Sequence, residues 1–266
     1  ARAFCEGQKA AGQKDIMNLV RCVWAGSQKY GVILWSGDVH STFESLQKQV
    51  VAGLNAGLSG ISWWTTDIGG FTGGNVHDPQ FHELLTRWFQ FGTFCPVMRL
   101  HGFREPAEQT IEHADRMFNQ PFGSGAFNEI YKYPRPTYEI LRKYLFMREA
   151  IRPYVMEQMK EAHTDGTPVM RPLFYDFAKD GQTWDISDEY MFGPDVLVAP
   201  ILHAGQTKRD VYLPASEDWI DVNTKQTYHG GQTVTVDCPI DTLPLFTRAS
   251  HPLDSLLNFT VPAEKD

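Results

Sequence analysis

Apolar residues in the first hundred positions fall into short continuous runs, separated by longer stretches in which they recur every three or four residues. The runs at 32–35 and 61–64 predict strands, because each is short and leads directly into a polar segment. Further runs at 16–23 and 97–100 predict two more strands. The stretch at 42–56 predicts a helix with one apolar face. Strands that alternate with helices in this way predict a parallel α/β sheet with right-handed crossovers.

Two further helices are predicted in the rest of the first 165 residues. Asp78 followed by Pro79 predicts the start of a helix, since aspartate caps helices and proline is favoured at the first helical position. Apolar spacing predicts a long helix over 138–163, which Pro153 should kink. Residues 103–135 are rich in proline, glycine and aromatic residues and predict an irregular connection.

The pattern changes after Gly166, where short apolar runs are separated by turn residues at short intervals, as in a β-sandwich. The predicted strands lie at 169–177, 195–202, 210–213, 219–222, 233–237 and 243–247. We therefore expect a first domain at 1–165 and an all-β domain at 166–266. The second domain has no clustered cysteine and histidine and no basic patch, so we expect a packing module.

Each predicted strand of the first domain has an ionisable residue near its carboxyl end. These residues are Arg21, Asp38, Asp67 and His101. Parallel α/β folds carry their chemistry at this edge, because parallel strands all end there. A single aspartate after a strand is most often a capping or loop residue. Four ionisable residues at successive strand ends, however, indicate a functional site.

Composition and charge argue against some classes of binding partner. The chain has 266 residues, 42% of them hydrophobic, and a formal net charge of −8. The acidic balance argues against nucleic acid and anionic membranes as partners. No apolar run approaches the roughly 18 residues of a transmembrane helix. No signal-peptide core is visible either, which favours a cytoplasmic location without deciding it.

The sequence gives no sign of a metal or cofactor site. The four cysteines are far apart, and the histidines do not form a pattern such as His-Glu-x-x-His. The glycine-rich segment at 69–74 lacks the lysine of a phosphate-binding loop. Carboxylates beside aromatic residues remain, with Trp35 before Asp38 and Phe71 after Asp67. Such a combination suits sugars, whose C–H faces pack on aromatic rings and whose hydroxyl groups donate to carboxylates.

Short motifs along the chain resemble glycoside hydrolase family 31, the retaining α-glycosidases that include α-glucosidases and α-xylosidases. After Arg21, these motifs are Gly-Ser-Gln-Lys-Tyr at 26–30, Trp-Ser-Gly-Asp at 35–38, Thr-Asp-Ile-Gly-Gly-Phe at 66–71, Arg-Leu-His-Gly at 99–102, Met-Arg-Pro at 170–172 and Phe-Gly-Pro-Asp at 192–195. The resemblance covers nearly the whole chain. It implies the C-terminal half of a (β/α)8 TIM barrel, with about the last four strands, followed by an all-β sandwich.

The resemblance also implies a function, the hydrolysis of terminal α-linked xylose or glucose from an oligosaccharide or other α-glycoside. Asp38 matches the family's general acid/base, which protonates the leaving oxygen and then deprotonates water. Residues that resemble the family's sugar-binding positions are Arg21, Trp35, Asp67, Phe71 and His101. The pattern at 63–71 is more similar to bacterial α-xylosidases than to α-glucosidases.

The family's nucleophile motif, similar to Trp-x-Asp-x-Asn-Glu, does not occur in the chain. Upstream of Asp38 the only acidic residues are Glu6, in a predicted helix, and Asp15, which precedes its strand and so lies at the wrong end of the barrel. We therefore expect the nucleophile and the N-terminal barrel half to lie outside this chain, which would be inactive alone. The alternative is a carbohydrate-binding half-barrel that needs a missing N-terminal part or a partner, and a homo-oligomer also stays open.

The C-terminal end departs from the family as well. Ser-His-Pro at 250–252 replaces the usual glycine-containing continuation after residues 243–249. We therefore expect the last strand of the second domain to be atypical.

Overall fold

The computed structural model describes residues 1–110 and 123–264. Its helices are α1 (Arg2–Ala10), α2 (Phe43–Leu58), α3 (Pro79–Thr93), α4 (Arg135–Ala150), α5 (Arg152–Thr164), α6 (Leu173–Asp176) and α7 (Asp254–Leu257). Its strands are β1 (Asn18–Val20), β2 (Val32–Trp35), β3 (Trp64–Thr65), β4 (Gly74–Asn75), β5 (Arg104–Thr110), β6 (Gly123–Ala126), β7 (Met170–Pro172), β8 (Tyr190–Phe192), β9 (Val196–Val198), β10 (Lys208–Leu213), β11 (Asp218–Asp221), β12 (Thr227–His229), β13 (Gln232–Asp237) and β14 (Leu245–Arg248). Among these helices, none combines the length and the apolar character needed to cross a membrane.

A parallel sheet forms the base of the first part of the chain. Strands β1, β2 and β3 lie side by side in that order, and all run in the same direction. Residues 97–100 extend this sheet beyond β3 without forming a regular strand. The Val97 amide donates to the Trp64 carbonyl (3.2 Å), and the Ile68 amide donates to the Arg99 carbonyl (3.1 Å). The predicted parallel α/β arrangement is thus confirmed.

Helix α2 packs on this sheet through one apolar face, as its spacing predicts. The Thr42 hydroxyl caps the helix by accepting a hydrogen bond from the Ser45 amide at 3.1 Å. Leu46, Val50 and Leu54 then lie on the buried side. The glycine-rich end of the helix also permits a close approach, because a Cβ at Gly53 would lie 3.0 Å from the Trp64 ring.

Helix α3 begins where the sequence predicts. The Asp78 carboxylate accepts a hydrogen bond from the Gln80 amide at 2.9 Å, and Pro79 occupies the first turn. From residue 84 onward every residue of α3 is buried. The buried surface of α3 is therefore wider than the single face of an ordinary surface helix. The reason is that α3 lies between the parallel sheet and the β-rich part of the chain and contacts both.

Residues 103–135, predicted to be an irregular connection, contain strands β5 and β6. Strand β5 pairs in parallel with β4 and antiparallel with β6. These strands were missed because their sequences contain almost no apolar residues and hence no alternating pattern. Residues 111–122 of the predicted connection lie outside the described residues. Strand β3 also begins three residues later than the predicted run at 61–64.

The predicted helix at 138–163 is broken in two. Helices α4 and α5 meet at Ile151, and Pro153 lies in the first turn of α5. Proline has no amide hydrogen and clashes with the preceding turn, so it is tolerated in a first turn and not inside a helix. The predicted kink is therefore confirmed, in the form of a complete break.

The second part of the chain consists of two packed sheets. Six strands form an antiparallel sheet in the order β12–β11–β14–β9–β8–β7, and β10 pairs with β13 in a second sheet. The predicted β-sandwich is confirmed. The predicted strand at 169–177 is instead β7 followed by α6, and β8 and β12 were not predicted. Strand β14, which was expected to be atypical, lies between β11 and β9 and pairs with both.

The six-stranded sheet separates two hydrophobic cores. In β8, Tyr190 and Phe192 pack in the same cluster as helices α2 to α5, whereas Met191 faces the cluster under β10 and β13. Strand β9 alternates in the same way, with Leu197 on the side of β10 and β13. The β-rich part therefore covers the helices of the first part, as expected for a packing module.

A buried arginine joins the two parts. Arg87 in α3 is 2% exposed, and its guanidinium nitrogens donate to main-chain carbonyls of the β-rich part. The acceptors are the carbonyl oxygens of Cys238 (2.8 Å), Thr242 (3.0 Å), Pro239 (3.2 Å) and Gln206 (3.3 Å). Without this side chain, these carbonyls would lose their donors at a partly buried contact between α3 and the β-rich part.

We predict that Arg87→Met lowers the free energy of unfolding by about 3–5 kcal/mol, because one buried carbonyl and three partly buried carbonyls lose a charged donor at once. Denaturant unfolding of the purified variant measures this loss. Arg135→Met is the matched control, since Arg135 is an exposed arginine whose ion pairs lie at the surface. It should cost less than about 1 kcal/mol. Equal losses in the two variants would contradict the assigned role of Arg87.

The β-rich part contains a buried carboxyl group with a hydrogen-bond partner on one of its two oxygens. Glu189 is 3% exposed, and its Oε1 accepts a hydrogen bond from the Tyr212 amide at 3.0 Å. Its Oε2 has no partner among the described residues. Burial raises the pKa of Glu189 to about 8, although the nearby charge of Arg209 acts in the opposite direction. The folded protein therefore holds this carboxyl group protonated at neutral pH.

This raised pKa predicts a pH-dependent stability. Between pH 4.5 and 8 the unfolded chain loses the Glu189 proton while the folded chain keeps it, so stability falls as pH rises, by up to about 1.4 kcal/mol per pH unit. Glu189→Gln should remove this slope. Unfolding measured across that range, with the exposed Glu157→Gln as control, checks the prediction. Parallel stability curves for Glu189→Gln and the unsubstituted protein would exclude it.

Candidate active site

The predicted site residues lie along the carboxyl edge of the parallel sheet. In chain order they are Arg21 after β1, Trp35 and Asp38 at the end of β2, Asp67 and Phe71 after β3, and His101 after residues 97–100. They share this edge because the strands before them are parallel and neighbouring. Their exposure differs: Asp38 and Arg21 are exposed, whereas Asp67 is completely buried.

Asp67 is the buried acid of the site. Its Oδ1 forms an ion pair with Nη1 of Arg99. Its Oδ2 is also buried, and the Trp35 side chain faces the carboxylate as a hydrogen-bond donor. Burial raises the pKa of Asp67 to about 6, and the charge of Asp38 adds to this effect, whereas the charges of Arg99 and Arg104 and the Trp35 donor act in the opposite direction. The group is therefore ionised above about pH 6.

Trp35 is close to two arginines. The Cζ atoms of Arg21 and Arg99 are 5.9 and 5.8 Å from the centre of its ring, within the range of a cation–π interaction. The indole Nε1 is buried, and as a donor facing the Asp67 carboxylate the Trp35 side chain lowers the pKa of that group. Trp35 thus links the predicted Arg21 to the arginine that pairs with Asp67.

Phe71 and His101 are neighbours at this edge. Their ring centres are 5.6 Å apart, with an angle of 37° between the planes. Burial lowers the pKa of His101, and the positive charges of Arg99 and Arg104 lower it further. The imidazole is therefore neutral near pH 7, and it can both donate and accept a hydrogen bond.

The charge of Asp38 acts on both Asp67 and His101. It opposes the ionisation of Asp67 and favours the protonation of His101, so the three groups share one electrostatic environment. Among the described residues, no hydrogen bond or ion pair holds the Asp38 side chain. An exposed carboxyl group without a fixed partner can exchange protons with a bound molecule.

The loops that follow β2 and β3 are in direct contact. The Phe71 amide donates to the Val39 carbonyl at 2.7 Å. Gly69 and Gly70 have φ values of +89° and +76°, which favour glycine. A Cβ at Gly70 would also lie 2.7 Å from the Cα of Ser41. The two glycines therefore allow the loop that carries Asp67 to approach the loop that carries Asp38.

Two arginines of the site were not among the predicted residues. Arg99 lies within the Arg-Leu-His-Gly motif, two residues before His101, so its position next to a predicted residue could have identified it. Arg104 is the first residue of β5, in the stretch that the sequence predicts as irregular. It gives no sequence signal, because a single arginine in a polar segment usually lies at the surface.

The site contains no arrangement typical of a metal centre. Within residues 1–110 and 123–264, no three His, Cys, Asp or Glu side chains are placed to hold a metal ion. The two carboxylates of the site are instead flanked by arginines, aromatic rings and a neutral imidazole. Such a set can bind hydroxyl groups, cover an apolar ring face and transfer a proton.

Comparisons with known proteins identify relatives of this chain. A family model described as the glycosyl hydrolases family 31 TIM-barrel domain matches residues 1–158, and the model of the family's C-terminal domain matches residues 166–251. An α-xylosidase of Saccharolobus solfataricus is 36% identical over 255 residues, which cover 96% of this chain and 32% of that enzyme. A family 31 glucosidase of Pseudescherichia vulneris, itself uncharacterised, is 67% identical over 106 residues, 40% of this chain and 20% of that protein.

Solved structures of family 31 enzymes also resemble this chain. A family 31 α-xylosidase from a soil metagenome, crystallised with xylose, superimposes with a TM-score of 0.92 at 53% identity, over 96% of this chain and 38% of that one. A xylosidase from Aspergillus niger superimposes with a TM-score of 0.84 at 31% identity, with the same coverage. The chain thus spans about a third of the length of these relatives. Two family models that together match most of the chain, and these superpositions, show that the chain belongs to glycoside hydrolase family 31.

Proposed function

We propose that the protein containing this chain hydrolyses terminal α-linked sugars by the retaining mechanism, with Asp38 as general acid/base. The observation that carries the proposal is the position of Asp38: an exposed carboxyl group without a fixed partner, electrostatically coupled to a buried acid and a neutral histidine. Such a group can protonate the leaving oxygen in the first step. It then removes a proton from the water that attacks in the second step.

The sugar ring is held by the groups around Asp38. The Asp67 carboxylate, held by Arg99, is the proposed acceptor for a hydroxyl group, and the neighbouring Trp35 side chain belongs to the same binding surface. Phe71 covers an apolar face of the ring. Arg21 and His101 supply further hydrogen bonds to hydroxyl groups.

The second carboxylate of the mechanism comes from outside these 266 residues. A retaining site needs two carboxyl groups about 5–5.5 Å apart, one of them free to attack the sugar. Asp67 does not suit this task, because it is buried and paired with Arg99. The relatives are about three times as long as this chain, which leaves ample sequence for a nucleophile.

Xylose is the preferred sugar in this proposal. The two solved structures described above are a soil α-xylosidase crystallised with xylose and a xylosidase. The relatives also include an α-glucosidase of Bacillus thermoamyloliquefaciens, 35% identical over 246 residues. Glucose carries a hydroxymethyl group that xylose lacks, so activity on paired α-xyloside and α-glucoside substrates distinguishes the two.

We predict that Asp38→Asn in the intact protein lowers the hydrolysis of unactivated α-glycosides at least about 100-fold, because the leaving oxygen is no longer protonated. Glycosyl fluorides need no such protonation and should still react in the first step. Steady-state assays with both substrate types check this. Asp15→Asn is the control, as an exposed aspartate ahead of β1, at the opposite end of the strand. Unchanged hydrolysis of both substrate types by Asp38→Asn would exclude the role of Asp38.

A second function follows from the pairing of Asp67 with Arg99: the isolated chain is a sugar-binding half-barrel without turnover. We predict that the 266-residue chain binds xylose or glucose but does not release the aryl group of an aryl α-glycoside. Calorimetry with the monosaccharides and a colorimetric assay measure the two properties. Turnover by the isolated chain would show that it contains its own nucleophile.

A further inference from the structure

We propose that Arg104 is a positioning residue for the sugar site: its buried guanidinium holds residues 67–71 and residues 99–102 in a fixed relative arrangement. The inference deepens the proposed function, on which it rests. Arg104 is not among the residues that would touch the sugar. It lies behind them and acts through the main chain of both segments.

The contacts of Arg104 connect the two segments. The side chain is completely buried. Its Nη2 donates to the carbonyl of Ile68 (2.7 Å) and to that of His101 (3.2 Å), so one nitrogen bonds to both segments. Its Nη1 donates to the carbonyls of Gly70 (2.7 Å) and Gly69 (3.4 Å). The three residues that follow Asp67 are therefore all bonded to a group that also bonds to His101.

The guanidinium is itself held in place. Arg104 begins β5, and its main chain lies between Gly74 of β4 and Ala126 of β6. Its Nε donates to Oδ1 of Asn128 at 3.0 Å, and Nδ2 of Asn128 donates to the Gly102 carbonyl at 2.7 Å. The sheet fixes the backbone and the asparagine fixes the plane of the side chain, so the direction of the donors is determined before a ligand binds.

Glycines on both segments make room for this side chain. A Cβ at Gly69 would lie 2.9 Å from Nη2 of Arg104, and a Cβ at Gly102 would lie 2.5 Å from its Cζ. Two glycines of the Asp-Ile-Gly-Gly-Phe and Arg-Leu-His-Gly motifs therefore adjoin one guanidinium. Arginine suits this task better than lysine, because its planar fork can bond several carbonyls in fixed directions.

The charge of Arg104 also acts on the sugar-binding groups. It lowers the pKa of Asp67 and that of His101. The other charged groups that face these two side chains are Arg99, which acts in the same direction, and Asp38, which acts in the opposite one. Arg104 therefore favours a carboxylate at Asp67 and a neutral imidazole at His101, the forms that suit hydroxyl recognition.

Two substitutions in the intact protein separate geometry from charge. Arg104→Lys keeps the charge but loses the fork, and it should lower kcat/KM for an aryl α-xyloside about 100-fold, since small misplacements of binding groups cost about that much. The Kd of xylose should rise at least about tenfold. Arg104→Met loses the charge as well, so the acid limb of its kcat/KM profile should also move to higher pH, as the Asp67 pKa rises.

Arg87→Lys is the matched control, since Arg87 is likewise a buried arginine that donates to several carbonyls, but between α3 and the β-rich part. It should lower the melting temperature without changing the Kd of xylose or the acid limb. Gly102→Ala offers a second route, because its Cβ would displace the guanidinium from the other segment. It should weaken xylose binding in the same way as Arg104→Lys, even if the arginine variants fold poorly.

The outcomes distinguish this inference from the proposed function. If the unsubstituted protein hydrolyses α-glycosides and the Arg104 and Gly102 variants match Arg87→Lys in every measurement, Arg104 is only structural and the inference fails alone. If the protein binds xylose without hydrolysis and the variants weaken binding, the inference holds and the proposed function fails. If the unsubstituted protein neither binds nor hydrolyses, both fail.

Discussion

The structure around the site depends on buried guanidinium groups that bond to main-chain carbonyls. After β3 and at residues 97–100 the backbone is irregular and is joined by an isolated bridge, Ile68 to Leu100, instead of a continuous ladder, so some of its carbonyls need other donors. Arg104 bonds to the carbonyls after Asp67, and Arg148 in α4 bonds to those of Thr93, Cys95 and Pro96 at 2.7–2.8 Å. Each buried carbonyl needs a donor, and one arginine supplies up to five. Irregular backbone can therefore be fixed where the chemistry requires it.

Burial gives the two aspartates of the site unequal properties. Asp67 is buried and forms an ion pair with Arg99, whereas Asp38 is exposed to solvent. A buried carboxylate with a fixed cation keeps its place and its hydrogen bonds, which suits recognition. An exposed carboxyl group can change its protonation state without leaving a buried charge unpaired, which suits proton transfer. The same residue type thus fits two tasks through its surroundings.

The β-rich part contributes to this site indirectly. Its six-stranded sheet is apolar on both faces, one against the helices and one against β10 and β13. Tyr190 also donates a hydrogen bond to the Phe94 carbonyl at the end of α3 (2.9 Å). The segment that leads from α3 to residues 97–100 is therefore fixed from the β-rich side. Arg148 supports the same segment from α4, and its pKa is lowered by burial to about 10.

Local patterns were sufficient for most of the fold. The run at 32–35 is strand β2, Asp78 and Pro79 begin α3, and Pro153 separates α4 from α5, because each of these features depends on neighbours in sequence. Strands β5 and β6 were missed for the opposite reason. They contain few apolar residues. They are strands because β5 pairs with β4 and with β6. Pairing between distant segments leaves no periodic signal in either one.

The same division applies to the site. The sequence by itself determined which residues end the parallel strands, and hence that Arg21, Asp38, Asp67 and His101 share one edge. Only the tertiary structure decided that Asp67 is buried against Arg99 while Asp38 stays exposed. It also decided that Arg104, from a segment without a recognisable pattern, lies beneath both loops. Burial and charge pairing depend on which side chains meet in space, and spacing along a chain does not specify that.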